Sequence, residues 1–337
     1  MYQIIFQFLT FDFEPFSLEI IIGYLYNLLY MYKEKWLTLY TPNTKENKKQ
    51  PDILLINVPS SFQQGIIPDD DEPPFGLLRI VVTSKKDGFS PNILDAHRGK
   101  LNPSEIDDFL YGLKPKFVGI NPTSVNIPEA QEIAEMAAIR GIPIIIGGVH
   151  ATLSPQQAFK DFPKAYAIVR GPGEYPTIHI LEGKQTNVPG VYFKEDNNSN
   201  RQDYAYPYPI NQIPPINYAI WVPNPLTERE IETPQGKKTV IREISLFESY
   251  GCPFACTYCS TPVLIGRGQG RKTYSKPSAE KIMQDVKLAM ETGVLSSGLC
   301  KLITYPLEKI RKPPHHLLSH SIFPKVFLTL PHITQNH

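Results

Sequence analysis

Five short apolar runs separated by stretches of helical periodicity restrict the possible folds of this chain more than any other feature. Asp52–Val58 (DILLINV) is almost continuously apolar, as a strand is when both faces of a parallel sheet are covered. Asn92–Ala96, Phe117–Asn121, Pro143–Ile146 and Ala165–Val169 are four more segments of this kind. The clearest helix between them is Pro128–Arg140, with Asn126 ahead of it, Pro128 in its first turn and Gly141 at its stop. Ala130, Ile133, Ala134, Met136 and Ala137 give that helix a small apolar face that lies close on a sheet. The alternation over residues 51–185 predicts an α/β fold, a flavodoxin-like doubly wound parallel sheet with strand order 2-1-3-4-5.

Such sheets bind ligands at the carboxyl ends of their strands. Pro59-Ser60-Ser61 follows the first run and Pro122-Thr123-Ser124 the third. The fourth leads into Gly147-Gly148-Val149-His150-Ala151-Thr152, and the fifth into Arg170-Gly171-Pro172-Gly173-Glu174. Glycines there admit a ligand to the backbone, and hydroxyls can hydrogen-bond it. Tight βα turns need small residues in any case, so each position also has a purely structural reading. No G-x-G-x-x-G follows the first strand and no G-x-x-x-x-G-K-[ST] occurs, which argues against a dinucleotide and against ATP.

The four cysteines are Cys252, Cys256, Cys259 and Cys300, so the first 251 residues have none. A secreted disulfide framework would scatter its pairs; three thiols in eight residues point to a metal site in a reducing, cytoplasmic compartment. They follow an apolar segment, Val240–Phe247, that reads as a strand. Three thiolates from one C-x3-C-x2-C loop can hold three irons of a [4Fe–4S] cube and leave the fourth open to a substrate. Structural zinc favours paired C-x2-C knuckles, and Cys300 lies 41 residues beyond Cys259, but three cysteines with a histidine remain an alternative.

Together these motifs resemble a known family. GGVHATLSP, then VRGPGE, with PPFGLL (Pro73–Leu78) and ILDAH (Ile93–His97) earlier, look like the cobalamin-binding domain that precedes many radical S-adenosylmethionine enzymes. Gly171-Pro172-Gly173-Glu174 stands where that family usually shows Gly-Glu-Gly-Glu-like spacing. The cysteine loop resembles the radical S-adenosylmethionine signature, with the aromatic Tyr258 before its third cysteine. The resemblance implies cobalamin contacts at Ser60, Ser124, Gly147, Gly148, His150, Thr152, Gly171, Gly173 and Glu174. It also implies iron ligation by Cys252, Cys256 and Cys259, S-adenosyl-L-methionine beside Tyr258, and a one-electron donor such as a flavodoxin or ferredoxin. Asp95-Ala96-His97-Arg98-Gly99 is one residue short of the D-x-H-x-x-G motif and follows the second strand, so the lower face of a corrinoid is not expected to rest on His97.

Residues 240–293 then read as the start of a radical S-adenosylmethionine barrel, whose first helix spans Ser278–Thr292. Residues 186–239 read as a linker with irregular or hairpin structure. Residues 1–50 and 294–337 read as an atypical extension and an atypical tail, the latter with five of the eight histidines. Only 78 residues follow Cys259, which suggests a truncated or frame-shifted form of a longer enzyme. The N-terminal segment has no signal-peptide pattern, and its longest charge-free run, Ile20–Tyr32, is 13 residues, too short for a membrane span. A net charge of +1 gives no field for nucleic acid. Three functions follow: a cobalamin-dependent radical enzyme for methyl transfer or rearrangement, a non-catalytic cobalamin-binding remnant with a vestigial cluster loop, and a zinc-stapled α/β protein.

Overall fold

The structure is a computed structural model and describes residues 50–60, 73–194, 203–216, 227–232, 238–246, 249–254, 256–266, 274–291 and 296–299. The readings made for residues 1–49 and for the histidine-rich segment 300–337 lie outside the described residues.

In chain order the first unit runs β1 (Ile53–Asn57), α1 (Phe75–Lys86), β2 (Pro91–Asp95), α2 (Pro103–Leu113), β3 (Val118–Ile120) and α3 (Ile127–Ile139). It continues through β4 (Ile144–Ile146), α4 (Gly148–Leu153), α5 (Pro155–Asp161), β5 (Ala167–Val169), α6 (Glu174–Leu181) and β6 (Val191–Phe193). The sheet order is β2-β1-β3-β4-β5-β6, with β1 to β5 parallel. This is the expected doubly wound order, with each of the five apolar runs forming its strand. A sixth strand pairs antiparallel to β5 and comes from the segment read as linker. Val191-Tyr192-Phe193 is wholly buried there, because it closes an edge that β5 would otherwise leave unpaired.

The alternation of side chains along β1 divides the core in two. Leu54 and Ile56 pack on one face with Ile106, Leu110, Ile133 and Ala137. Ile53 and Leu55 pack on the other with Leu78, Val81, Ile178 and Phe193. A strand buried on both sides has no polar face to keep, which is why DILLINV carries none. Ala130, Ile133, Ala134 and Ala137 form the buried stripe of α3, with Met136 partly buried beside it. Asn126 precedes this helix without capping it; its side chain instead accepts from the Thr123 amide and hydroxyl and donates to the Val58 carbonyl at 3.3 Å. It thereby ties together the loops that leave β1 and β3.

A strap, residues 203–216, leaves β6 and crosses toward the second unit. Asp203 accepts from the Gly190 amide at 3.0 Å, and the Ala205 amide donates to Arg170 O at 2.9 Å. Further along, Asn211 accepts from the Ser278 amide at 2.7 Å. The second unit holds β7 (Thr227–Glu232), β8 (Lys238–Leu246), β9 (Tyr250–Gly251), α7 (Thr261–Leu264), β10 (Tyr274–Ser275), α8 (Ala279–Glu291) and β11 (Ser296–Leu299). β7 and β8 form an antiparallel hairpin, and β9 pairs with β10. Ser278 caps α8 as expected, accepting from the Lys281 amide at 3.3 Å. β11 lies parallel to β8, so β8-α8-β11 is one strand–helix–strand unit, and its last strand falls in the segment read as an atypical tail. Ser296-Ser-Gly-Leu has too little apolar character to announce a strand, and the exposed edge of β8 supplies the pairing that its composition does not.

Candidate functional site

Strand order reverses between β1 and β3, and doubly wound sheets open a crevice at that point. Two polar atoms there are buried with no hydrogen-bond partner among the described residues: Ser60 Oγ, just past β1, and Asn121 Oδ1, the residue after β3. Buried polar groups normally find partners, so two orphans on adjacent strand ends suit a polar ligand edge. Ser124 lies exposed in the turn beyond. Gly148 opens α4 at φ +79°, and a Cβ there would sit 3.1 Å from Asn121 Cβ and 3.2 Å from its Cα. The glycine therefore lets the β4 loop close on the β3 loop, and Gly147 and Gly148 expose backbone at the crevice.

Other expected contacts face elsewhere. His150 is buried, and its Nε2 lies 2.8 Å from Asp161 Oδ2, which joins α4 to α5. Thr152 Oγ1 accepts from the Gly171 amide at 3.1 Å, and Thr152 O accepts from Arg170 Nε at 3.3 Å. Thr152 thus links the β4 and β5 turns. Gly171 has φ +100°, and a Cβ on it would fall 2.4 Å from Tyr204 Cε1, inside the ring. Glu174 is buried, with Oε1 at 2.7 Å from Arg79 Nη2. Asp95, in the incomplete histidine motif, is also buried and accepts from Asn57 Nδ2 at 2.8 Å and the Arg98 amide at 3.0 Å. Asn121 was missing from the sequence-derived set; its place directly after β3, before Pro122, was the signal that would have found it.

The cysteine loop follows β9. Cys252 is buried, Cys259 half-buried and Cys256 exposed. Backbone amides point at two of the sulfurs: Phe254 N lies 3.4 Å from Cys252 Sγ and Thr261 N 3.4 Å from Cys259 Sγ. Hydrogen bonds from the Thr261 side chain and then its amide hold the Cys259 thiol below its usual pKa, which favours the thiolate, the form in which a cysteine ligates a metal. Tyr258 is exposed; a hydrogen bond to Cys256, and the Cys256 charge beside it, push its phenol above the usual range. Among the described residues no three His, Cys, Asp or Glu side chains surround a common metal position. The loop therefore offers a suitable donor set, in type and spacing, in an open arrangement. α7, directly behind Cys259, packs on α4, so the loop stands at the same carboxyl edge as the crevice.

Residues 68–181 match the family model described as B12 binding domain. With the cysteine loop behind that domain, the chain resembles the cobalamin-binding radical S-adenosylmethionine proteins. It is 24% identical over 246 residues to an uncharacterised methyltransferase of Pyrococcus horikoshii, covering 70% of this chain and 50% of that protein. It is 26% identical over 199 residues to the anaerobic magnesium-protoporphyrin IX monomethyl ester cyclase of Rubrivivax gelatinosus, covering 56% and 35%. To the bacteriochlorophyllide d C-12(1)-methyltransferase of Chlorobaculum tepidum it is 22% identical over 223 residues, covering 66% and 42%. The chain thus spans half or less of the length of these relatives. Among solved structures, the cobalamin-dependent S-adenosylmethionine radical enzyme OxsB with aqua-cobalamin bound shares the fold at a TM-score of 0.54 and 15% identity, covering 80% of this chain and 39% of that one. No helix among the described residues is long and apolar enough to cross a membrane.

Proposed function

We propose that this chain binds cobalamin at the carboxyl edge of β1, β3 and β4 and, through Cys252, Cys256 and Cys259, a [4Fe–4S] cluster that binds S-adenosyl-L-methionine. The observation that carries the reading is the pair of buried, unpartnered oxygens of Ser60 and Asn121 at the strand reversal, with the cysteine loop packed at the same edge. Ser60 and Asn121 offer hydrogen bonds to the amide-rich rim of a corrinoid, while the Gly147-Gly148 backbone lets the ring lie close. Thr152 and Asn126 hold the loops around it in place. When bound, the cofactors would supply a methyl carrier and, after one-electron reduction by a flavodoxin or ferredoxin, a carbon-centred radical for methyl transfer or rearrangement. The chain's own part is to position both groups: the cysteines bind iron as thiolates, and Thr261 favours that form of Cys259.

A second reading, cobalamin binding without cluster chemistry, is favoured by the open arrangement of the three thiols. Anaerobic reconstitution with iron and sulfide, followed by EPR of the reduced chain, separates the two. A [4Fe–4S]+ signal that shifts on adding S-adenosyl-L-methionine is the expected result. Its absence in a chain that still takes up aquacobalamin would leave the corrinoid-binding reading alone.

A further inference from the structure

The Gly171-Pro172-Gly173-Glu174 turn is linked to both ends of the cysteine loop, through Arg79 at one and Tyr204 at the other, and we infer that it is the base of a docking platform for the loop. The inference rests on the proposed cluster role of the three cysteines. It assigns Glu174 and Arg79 as positioning residues and not as cofactor contacts.

The entry to the loop is held through an ion pair. Arg79 on α1 and Glu174 at the start of α6 are each only 4% exposed and meet at 2.7 Å. The Arg79 guanidinium carbon lies 5.2 Å from the centre of the Tyr250 ring. Tyr250 is in β9, two residues before Cys252. A guanidinium whose charge is met by a carboxylate, with its face on an aromatic ring, has little freedom to move, and the ring stacked on it shares that restraint. Gly173 leaves room beside the pair for Ile80 of α1, since a Cβ there would lie 2.7 Å from Ile80 Cδ1 and that side chain would have to turn away.

The exit is held by an aromatic wedge. Tyr204 of the strap is 1% exposed, and its ring lies against both Gly171 and Gly266, the latter just past α7. A Cβ on Gly266 would sit 3.2 Å from the ring and one on Gly171 would overlap it. Both ends of the cysteine segment, Tyr250 and Gly266, therefore rest on side chains, Arg79 and Tyr204, that are themselves held against the same turn. A change in that turn reaches the thiols without touching them.

The test is differential alkylation of the full chain, reduced, chelated and anaerobic, with iodoacetamide and mass spectrometry. Exposed Cys256 serves as the internal reference for buried Cys252. In Tyr250→Leu the Cys252-to-Cys256 labelling ratio should rise by about tenfold, as local opening of a pinned segment predicts. Tyr250→Phe keeps the ring and should label like the parent. Glu174→Gln should give the same rise; if that variant fails to fold because buried Arg79 loses its carboxylate, Tyr250→Leu decides. An unchanged ratio in Tyr250→Leu, or an equal rise in Tyr250→Phe, overturns the inference. Aquacobalamin uptake is followed in parallel by its visible spectrum. A parent chain that takes up none sinks the corrinoid reading and leaves the alkylation result standing.

Discussion

Ser60 keeps a hydroxyl 3% exposed at the end of β1 with no partner among the described residues, and at residue scale that is the sharpest mark of function in the chain. A buried hydroxyl without a hydrogen bond costs about 1–3 kcal/mol, so a structural residue at this position would be better served by alanine. Ser60→Ala should therefore leave apo stability unchanged or raise it by up to ~1 kcal/mol, while weakening cobalamin binding by roughly tenfold, the value of one hydrogen bond in a dry site. Urea denaturation and cobalamin titration read the two effects separately. Loss of stability without loss of affinity would make Ser60 structural. His150, Thr152 and Glu174 show the contrary pattern: each is buried and each has a partner in its own domain, Asp161, Gly171 and Arg79 respectively.

At the scale of elements, strands and helices differ in what sustains them. β1 needs no local signal beyond its apolar run, with Ile53, Leu54, Leu55 and Ile56 between 0% and 3% exposed on both faces of the sheet. α2 depends more on its ends. The Glu105 amide donates to Asn102 Oδ1 at 3.1 Å and the Asn102 amide to Glu105 Oε2 at 2.9 Å, a reciprocal capping box before Pro103. Asn102→Ala should cost about 1 kcal/mol of stability by urea denaturation and leave cobalamin affinity unaltered, since α2 follows β2, the outer strand of the sheet, and the proposed contacts lie at the ends of β1, β3 and β4. A drop in affinity with it would mean that α2 is coupled to the site. β6 and β11 belong to the opposite class: three and four residues long, they are strands because a neighbouring edge pairs with them.

Across the whole molecule, a six-stranded domain that matches a B12-binding family carries on its carboxyl edge a loop with three thiols. If the two cofactors occupy separable sites, ligand linkage should show it. Aquacobalamin at a hundred times its dissociation constant should stabilise the chain by about 2.7 kcal/mol, seen as a higher Tm in scanning calorimetry. Replacing Cys252, Cys256 and Cys259 together by alanine should leave that shift in place and abolish iron uptake. Loss of the cobalamin shift in the triple variant would show one composite site.

What the sequence by itself determined is the part written in local chemistry. Apolar runs buried on both faces, with helices between them, allow little but a parallel sheet, and right-handed crossovers then order its strands. Three cysteines within eight residues likewise mark a candidate metal-binding loop wherever that loop lies. Tertiary structure alone decided the rest, because it depends on partners distant in the chain. The partner of Glu174, Arg79, stands 95 positions earlier and only α1 brings it there. Gly171 reads as a turn glycine until the strap lays Tyr204 on it. Asn121 gains its meaning only when folding buries its oxygen and brings it no donor among the described residues. Composition and period encode which surfaces must leave water, but whether a buried polar atom is satisfied depends on the geometry of groups that only folding brings together.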